Sequence, residues 1–510
     1  MWGSGTAPGW GSPLSSLVVV AALGWLLSGP NAVARGVADQ RWLEATTSNF
    51  TLFSTAPERE TKALLQELEV FRQTVKAITN VNNFKEGFPT RVFYFHSGKA
   101  YAQFKREPDE GGYVIPSLRE IFLVLGPGKH NFHGKEKIYH DYVHFMLRSR
   151  GIYDYPHWYE EGLADMLSSI RIERDKVLVA RVPISRSKDL QPDAFKPLPA
   201  IMGVLNTAAW TPAEQRLFYA QSWALVHYLH AGSRVGFTAR DQQMSKYVAL
   251  FNAGKISDVA FRQAFNVSYQ QLGQELRSYV TRGEYPIIKF PLASIAVSDT
   301  SKPKIAKKAV INYQLGKLSL ALGPSKALQA EQFLGAALAK EPSHGHIQTS
   351  LALAYLGQKR YQQAQRQVQQ SLSQAAGDPA RHIDCGRVLY AWSADDAAGL
   401  TLDQRAELLQ RARTCYQQAI DLDNGSMEAI ARLGMTYRAA GSDPALGLRY
   451  LTTAQKQMSW DAELQMRAGE LYLIDGKTAK ARKQFARVVR WSHNGETARR
   501  ARYLLDALNK

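Results

Sequence analysis

The sequence predicts an α+β domain followed by an all-α solenoid of repeated helix pairs. Between about residues 40 and 285, short segments of alternating polarity are interleaved with longer amphipathic segments, the pattern of mixed strands and helices. From about residue 303 the composition shifts to Ala, Leu and Gln with almost no strand pattern, and one motif recurs, which is typical of a helical repeat. The chain of 510 residues is also longer than one hydrophobic core usually serves.

The first 38 residues are predicted to precede the fold and to direct export. Residues 14–27 are almost uninterrupted in apolar character and end before Gly29-Pro30, and Ala32-Val33-Ala34 offers the small residues that a signal peptidase requires. The apolar run is shorter than the ~20 residues of a membrane span, so we expect cleavage and a periplasmic or extracellular protein. No Lys or Arg precedes the run, so a retained membrane anchor stays open as the alternative.

The first domain, residues 39–285, is predicted to place most of its strands before most of its helices. Strands are expected at 49–54, 91–96, 112–115 and 120–125, a hairpin at 171–182, and helices at 58–78, 134–150, 157–169, 212–230 and 268–282. Helices that cluster after strands indicate an α+β domain rather than an alternating α/β one.

Two histidines stand four residues apart in the helix predicted at 134–150. His140 and His144 project from one face of that helix, which is the geometry that two nitrogen ligands of one Zn²⁺ require. Asp141 follows the first histidine, where zinc peptidases keep a carboxylate as general base. This spacing alone is weak support for a metal site, because surface histidines also reach it by chance.

A second motif, W-x-x-E-G-x-A, runs from Trp158 to Ala164 in the next predicted helix. Together with the two histidines, it resembles the corresponding segment of gluzincins in the peptidase MA clan. The resemblance implies a zincin-like fold for the first domain. It also makes Glu161 the third ligand, beside His140 and His144, of one Zn²⁺ per chain.

The same resemblance implies roles for two further residues. Asp165 stands one helical turn after Glu161, where an acid in related peptidases hydrogen-bonds the far nitrogen of a ligand histidine and fixes its tautomer. Tyr219, in a segment that also resembles the family, is a candidate to stabilise a tetrahedral oxyanion with its phenol. Glu160 projects about 100° away from Glu161 on a helix, so we expect it to be solvated.

The function implied is hydrolysis of peptide bonds by a zinc-bound water, with a carboxylate accepting its proton. Asp141 departs from the Glu of the family, and its shorter side chain withdraws the carboxylate by about 1–1.5 Å, a misplacement that can cost on the order of 100-fold in rate. Three interpretations stay open: an adjusted peptidase, a zinc-binding pseudopeptidase that recognises peptides, and a domain without metal in which both histidines are ordinary helix residues.

The second domain, residues 303–510, follows a linker at 286–302 and carries the recurring motif. Its segments align on tyrosines at 355, 390, 437 and 472, and small residues occupy the following helices at 364, 419 and 481. An aromatic residue, a turn and a small residue in the next helix resemble four to five tetratricopeptide repeats. Such arrays form a curved solenoid whose concave face binds peptides or protein partners; alternatively, the repeats only stabilise and present the first domain.

Composition restricts the partners further. The chain carries 63 Lys and Arg against 45 Asp and Glu, a formal net charge of +18, yet no nucleic-acid motif accompanies the basic residues, so no nucleic-acid partner is expected. A peptide or protein substrate and a protein partner on the repeats are expected, and a membrane only if the N-terminal segment is retained. The only cysteines, Cys385 and Cys415, are compatible with a disulfide in an oxidising compartment or with two buried thiols.

Overall fold

The computed structural model describes residues 36–79, 88–108, 110–127, 132–149, 151, 154–374, 376–491 and 496–508. The predicted export signal therefore lies almost wholly outside the described residues. Val37 and Ala38 are buried beside Trp42, and the indole of Trp42 donates a hydrogen bond to the Val37 carbonyl. Packed residues are thus found slightly before the predicted boundary at residue 39.

The first domain is built from the following strands and α-helices, after a short helical segment at residues 36–38. The strands are β1 (Leu43–Thr46), β2 (Phe50–Ser54), β3 (Thr90–Tyr94), β4 (Gly112–Pro116), β5 (Ile121–Leu125), β6 (Arg171–Glu173), β7 (Lys176–Val179), β8 (Ile288–Pro291) and β9 (Lys304–Ile305). The helices are α1 (Glu58–Thr79), α2 (Gly98–Ala102), α3 (Phe132–Arg148), α4 (His157–Ser168), α5 (Leu198–Met202), α6 (Pro212–Ala231), α7 (Asp241–Asn252), α8 (Ser257–Ala264) and α9 (Tyr269–Arg282).

A six-stranded mixed sheet with the order β4-β5-β3-β2-β1-β9 forms the centre of this domain. β2, β3 and β5 run parallel, while β4, β1 and β9 pair antiparallel. β5 is buried along its whole length, which explains its unbroken run of apolar residues. α1 and α3 pack against one another and the sheet, and their apolar faces form a continuous core with α4 and α6.

The segment predicted as a linker, residues 286–302, pairs with strands of the first domain in the structure. β8 adds a third strand to the β6–β7 hairpin, and β9 closes the edge of the large sheet against β1. Within the segment itself, the Ser301 amide donates to the Thr46 carbonyl of β1 at 2.9 Å, so its backbone groups find partners beside both sheets. The first domain accordingly extends to residue 305.

Five helix pairs and a last helix follow in the described residues, and we call this region the repeat array. Its helices are α10 (Lys308–Ala321), α11 (Ala327–Leu338), α12 (Gly345–Gly357), α13 (Tyr361–Gln374), α14 (Pro379–Ala394), α15 (Leu402–Leu422), α16 (Met427–Met435), α17 (Pro444–Gln455), α18 (Ala462–Ile474), α19 (Thr478–Trp491) and α20 (Glu496–Ala507). Glycines allow the paired helices to approach: a Cβ on Gly386 would lie 2.4 Å from the Tyr416 ring.

Cys385 on α14 and Cys415 on α15 form a disulfide, with their Cα atoms 6.1 Å apart. The bond joins the two helices of one pair and crosses the inserted residues between them. Of the alternatives left open by the sequence, the structure thus has the disulfide. Within the described residues, no helix combines the length and apolarity that a membrane span needs.

The repeat array packs directly on the first domain. Arg119, in the β4–β5 turn, reaches into the array and pairs with Asp384 at 2.9 Å and Glu428 at 2.7 Å. Burial opposes ionisation of Glu428, but Arg119 and neighbouring arginines outweigh it and lower the pKa of Glu428 to about 2. Further along, Trp460 lies edge-on to Phe145 of α3, with ring centroids 5.1 Å apart. Both charged and apolar contacts therefore hold the two parts together.

Candidate metal centre

The candidate metal centre is built on two neighbouring helices, α3 and α4. His140 and His144 lie one turn apart on α3, and their Nε2 atoms are 3.0 Å apart. Glu161, in the first turns of α4, directs Oε2 to the same point, 3.2 Å from Nε2 of His140 and 3.4 Å from Nε2 of His144. The structure thus brings together the three residues that the sequence proposed as ligands.

A buried carboxylate holds the far side of each imidazole. Asp165 Oδ1 lies 2.9 Å from Nδ1 of His140, and Glu160 Oε1 lies 3.0 Å from Nδ1 of His144. Burial opposes the charge on Glu160, but Arg148 and His144 outweigh it and lower its pKa to about 2. The pKa of Asp165 is also lowered despite its burial. Both carboxylates are therefore acceptors, which assigns a proton to Nδ1 of each histidine.

This tautomer leaves three lone pairs directed at one point. Nε2 of His140, Nε2 of His144 and Oε2 of Glu161 are then all acceptors, and they require a cation between them. A proton is one such cation: burial opposes it, but Asp165 and Glu161 raise the pKa of His140 to about 9. A metal ion is the other, and it satisfies all three atoms at once.

The spacing of the three atoms fits zinc. Zinc binds imidazole nitrogen and carboxylate oxygen at about 2.0–2.1 Å, which places ligand atoms at the corners of a tetrahedron about 3.3–3.4 Å apart. The separations of 3.0, 3.2 and 3.4 Å lie close to that edge length. Two imidazoles and one carboxylate are also a donor set that zinc uses with a fourth position open.

Two arginines complete the surroundings and could not be found by motif spacing. Arg148 Nε donates to Glu160 at 2.7 Å, and Arg186 Nε donates to Asp165 at 2.7 Å. The expectation that Glu160 is solvated was wrong: it is only 1% exposed. Consecutive helix residues point about 100° apart, so the Glu160 side chain points away from Glu161. It faces His144 across the interface between α3 and α4.

The packing of Gly162 explains why the motif requires glycine after Glu161. A Cβ at Gly162 would lie 2.3 Å from the backbone carbonyl oxygen of Ser222 on α6 and 2.7 Å from Val226 Cγ2. The helix carrying Glu161 therefore lies against the α6 backbone, at a distance that no other residue permits. This close contact fixes the depth of α4 and with it the position of Glu161.

The two predicted catalytic residues are placed differently. Asp141 Oδ2 accepts from Lys137 at 3.0 Å, and in the described part of the chain its carboxylate contacts that lysine rather than the cluster. Tyr219 lies near the cluster: burial first and the charge of Glu161 second raise the pKa of its phenol. Arg186 stacks over its ring, 4.7 Å from the centroid. The structure thus brings Tyr219, but not Asp141, to the ligands.

A cleft with a volume of about 770 Å³ lies beside the cluster rather than at it. It lies between α1, the start of α3 and the β6–β7 hairpin, and residues 297–300 border it. Tyr139 contributes to its wall, and the next residue, His140, keeps 13% of its side chain exposed. The cluster of His140, His144 and Glu161 is itself nearly closed.

Comparison with known proteins bears on the repeat array. A model of the tetratricopeptide repeat family matches residues 321–382, the segment from the end of α10 to the start of α14. No curated protein matches the chain in sequence.

Several solved structures are similar to parts of the chain. A thermophilic tetratricopeptide-repeat protein of Thermus thermophilus is 15% identical, with a TM-score of 0.35, and the match covers 39% of this chain and 98% of that one. YrrB, described as a tetratricopeptide-repeat protein with an unusual peptide-binding site, is 17% identical with a TM-score of 0.26, over 38% of this chain and 92% of that one. PilF of Pseudomonas aeruginosa is 15% identical with a TM-score of 0.30, over 39% and 88%.

The family match and the succession of helix pairs agree on the second half of the chain. The matched residues span the second helix of one pair and the whole of the next. The chain thus consists of an N-terminal region with a mixed sheet followed by a tetratricopeptide-repeat region.

Proposed function

We propose that this chain is an exported zinc-binding protein, in which a gluzincin-like domain recognises peptides and a tetratricopeptide-repeat array supports it and meets a protein partner. The convergence of Nε2 of His140, Nε2 of His144 and Oε2 of Glu161 carries this proposal. Three acceptors within 3.4 Å of one another, with both Nδ1 atoms held by ionised carboxylates, form a preorganised cation site.

In this proposal His140, His144 and Glu161 hold the ion, while Asp165 and Glu160 keep the two imidazoles oriented. Zinc in such a set supplies a Lewis acid with an open coordination position. Tyr219 offers a phenol beside it that can donate to the oxygen of a bound carbonyl group. Recognition of a peptide carbonyl requires no more than these groups.

Recognition without efficient cleavage is supported by Asp141. Its carboxylate is shorter than the family's glutamate, and it is paired with Lys137 at 3.0 Å. A general base must reach the proton that it abstracts, and this pairing directs the carboxylate elsewhere. The repeat array, which is the part of the chain with a family match, supports a role in protein interaction.

Hydrolysis of peptide bonds is the second candidate, and the nearby phenol of Tyr219 favours it. The Asp141→Glu variant, which restores the missing methylene, distinguishes peptide recognition from peptide hydrolysis. Under the first, wild-type protein hydrolyses no peptide library and Asp141→Glu gains activity at most slightly. Under the second, wild-type hydrolysis is abolished by a chelator and by Asp141→Asn, and Asp141→Glu raises it, on the order of 100-fold where position is the limitation.

The zinc site itself is tested by metal content. The chain from Arg35 onward, measured by mass spectrometry after excess metal is removed, is expected to hold about one zinc. His140→Ala should lose it, while His96→Ala, which alters a histidine with 45% of its side chain exposed, should keep it. Absence of zinc from the unaltered chain, even after zinc is supplied, would refute the proposal.

Export is supported by the disulfide between Cys385 and Cys415, since such bonds persist in oxidising compartments. Cleavage after Ala34 predicts a mature protein that begins at Arg35. N-terminal sequencing of the protein recovered from the producing cells tests this: an intact Met1 would indicate a retained anchor or a protein that stays inside.

A further inference from the structure

The repeat array contacts the segment that connects α3 to α4. We call this segment the join; its described residues are 149, 151 and 154–156. This join connects the helix of His144 to the helix of Glu161, so it sets the distance between ligands. Ser459 Oγ, in the turn before α18, donates to the Arg148 carbonyl at 2.5 Å and accepts from the Gly151 amide at 3.1 Å. The end of α3 is thus capped by a residue more than 300 positions away in sequence.

A buried ion pair fixes the other end of the join. Arg487 of α19 donates from Nε and one terminal nitrogen to the two oxygens of Asp154, both at 2.8 Å, and Arg490 adds a contact at 3.1 Å. Arg487 is 1% exposed and Asp154 6%. A bidentate pair in such a setting fixes the relative orientation of its two partners, and loss of Arg487 would leave Asp154 with the single contact to Arg490.

Arg148 connects the repeat array to one of the proposed ligands, His144. Its Nε donates to Glu160, the carboxylate that holds Nδ1 of His144. A terminal nitrogen of the same guanidinium donates to the Trp491 carbonyl at the end of α19, at 3.3 Å, and the group lies 5.3 Å from the centre of the Trp491 ring. One chain of contacts therefore runs from α19 through Arg148 and Glu160 to His144.

We propose that α18 and α19 of the repeat array are a structural part of the metal centre, and that Arg487, Ser459 and Arg148 are positioning residues that hold α3 and α4 at the zinc-binding distance. This inference rests on the proposed zinc site. The binding partner of α18 and α19 is then the first domain of the same chain. Metal affinity should then depend on array residues that touch no ligand.

The test is the zinc affinity of the full chain from Arg35, measured by competition with a chelator. Arg487→Met is expected to lower affinity tenfold or more, in the range known for changes in the groups that orient metal ligands. The matched control is Arg502→Met, which removes a different contact between array and first domain, the 2.7 Å bond to Asn206; its affinity should stay within twofold. Circular dichroism and a denaturation baseline establish that each variant is folded during the measurement.

Replacing zinc by cobalt(II) provides a visible absorption spectrum, which loss of stability alone would not change. The visible absorption of the cobalt-loaded Arg487→Met protein should change in position or intensity, while that of Arg502→Met should match wild type. If Arg487→Met does not fold, Ser459→Ala takes its place, with a several-fold loss of zinc affinity and the same spectral change expected.

The possible outcomes separate the two proposals. A folded Arg487→Met or, in its place, Ser459→Ala that binds zinc as tightly as wild type, with an unchanged cobalt spectrum, overturns the positioning role alone. Failure of the unaltered chain to bind either metal overturns the zinc site and this inference with it.

Discussion

Replacement of Gly162 by alanine tests the packing that positions Glu161. The added Cβ would lie 2.3 Å from the Ser222 carbonyl oxygen, so one of the two helices must move by roughly 1 Å to restore van der Waals contact. Alanine gains about 1 kcal/mol over glycine in a helix interior. Overpacking a filled core costs about 1–3 kcal/mol, and more where backbone must shift. Because the clash is with backbone, we take the upper end of that range and expect a net loss of about 2 kcal/mol.

The assay is urea denaturation of wild type and Gly162→Ala in the presence of a chelator, followed by zinc affinity of the folded proteins. Gly335→Ala is the matched control, because Gly335 lies within α11 and its Cβ would meet nothing within 4 Å; it should be neutral or stabilising by up to about 1 kcal/mol. Gly162→Ala should also bind zinc more weakly, because α4 shifts. Equal or greater stability for Gly162→Ala, with Gly335→Ala behaving as expected, would refute the close packing of α4 on α6.

Three further predictions concern stability. Arg119→Met removes one of two arginine partners from each of two buried carboxylates, since Arg387 stays beside Asp384 and Arg432 beside Glu428; it should destabilise the protein by about 1.5–3 kcal/mol in urea denaturation, the worth of a hydrogen bond to a charged group, and unchanged stability would contradict the ion-pair assignment. Burial lowers the pKa of His227 to about 4, below the ~6.5 of the unfolded chain, so its contribution is present above pH 6.5 and is lost as pH falls toward 4. Between pH 7 and 5, with chelator present, the melting temperature should therefore fall less in a folded His227→Gln variant than in wild type; parallel pH profiles would argue against a buried neutral imidazole. The disulfide closes a sequence separation of 30 residues, so replacing Cys385 and Cys415 by alanine should cost about 3–4 kcal/mol in the chain-entropy model, and unchanged stability would count against the bond.

Local periodicity predicted the helices that carry the candidate metal ligands. The helix expected at 134–150 is α3 at Phe132–Arg148, and that expected at 157–169 is α4 at His157–Ser168. A spacing of four residues places His140 and His144 on one face whatever surrounds them, so their proximity follows from helix geometry alone. The roles assigned to Asp141 and Tyr219, in contrast, came from resemblance and remain predictions.

Contacts between distant segments could not be read from the sequence. Glu160 was expected to be solvated because its angle relative to Glu161 was considered on an isolated helix, whereas α3 covers that side and supplies His144 and Arg148 as partners. Arg186 reaches Asp165 from a loop without regular structure. Strands β8 and β9 are short and partly exposed, so they have little apolar alternation by which a strand could be recognised.

The pairing of Arg487 with Asp154 has a consequence for the order in which the protein matures. The two residues are separated by 333 positions, and at a synthesis rate of about 5–20 residues per second that interval corresponds to roughly 17–67 s. During this time the first domain would lack the ion pair with α19. Asp154 would have neither arginine partner, and the connection between α3 and α4 would be less constrained. Under the positioning role proposed above, tight metal binding would then follow docking of the last helices, and a chain interrupted before α19 would bind zinc more weakly than the full chain.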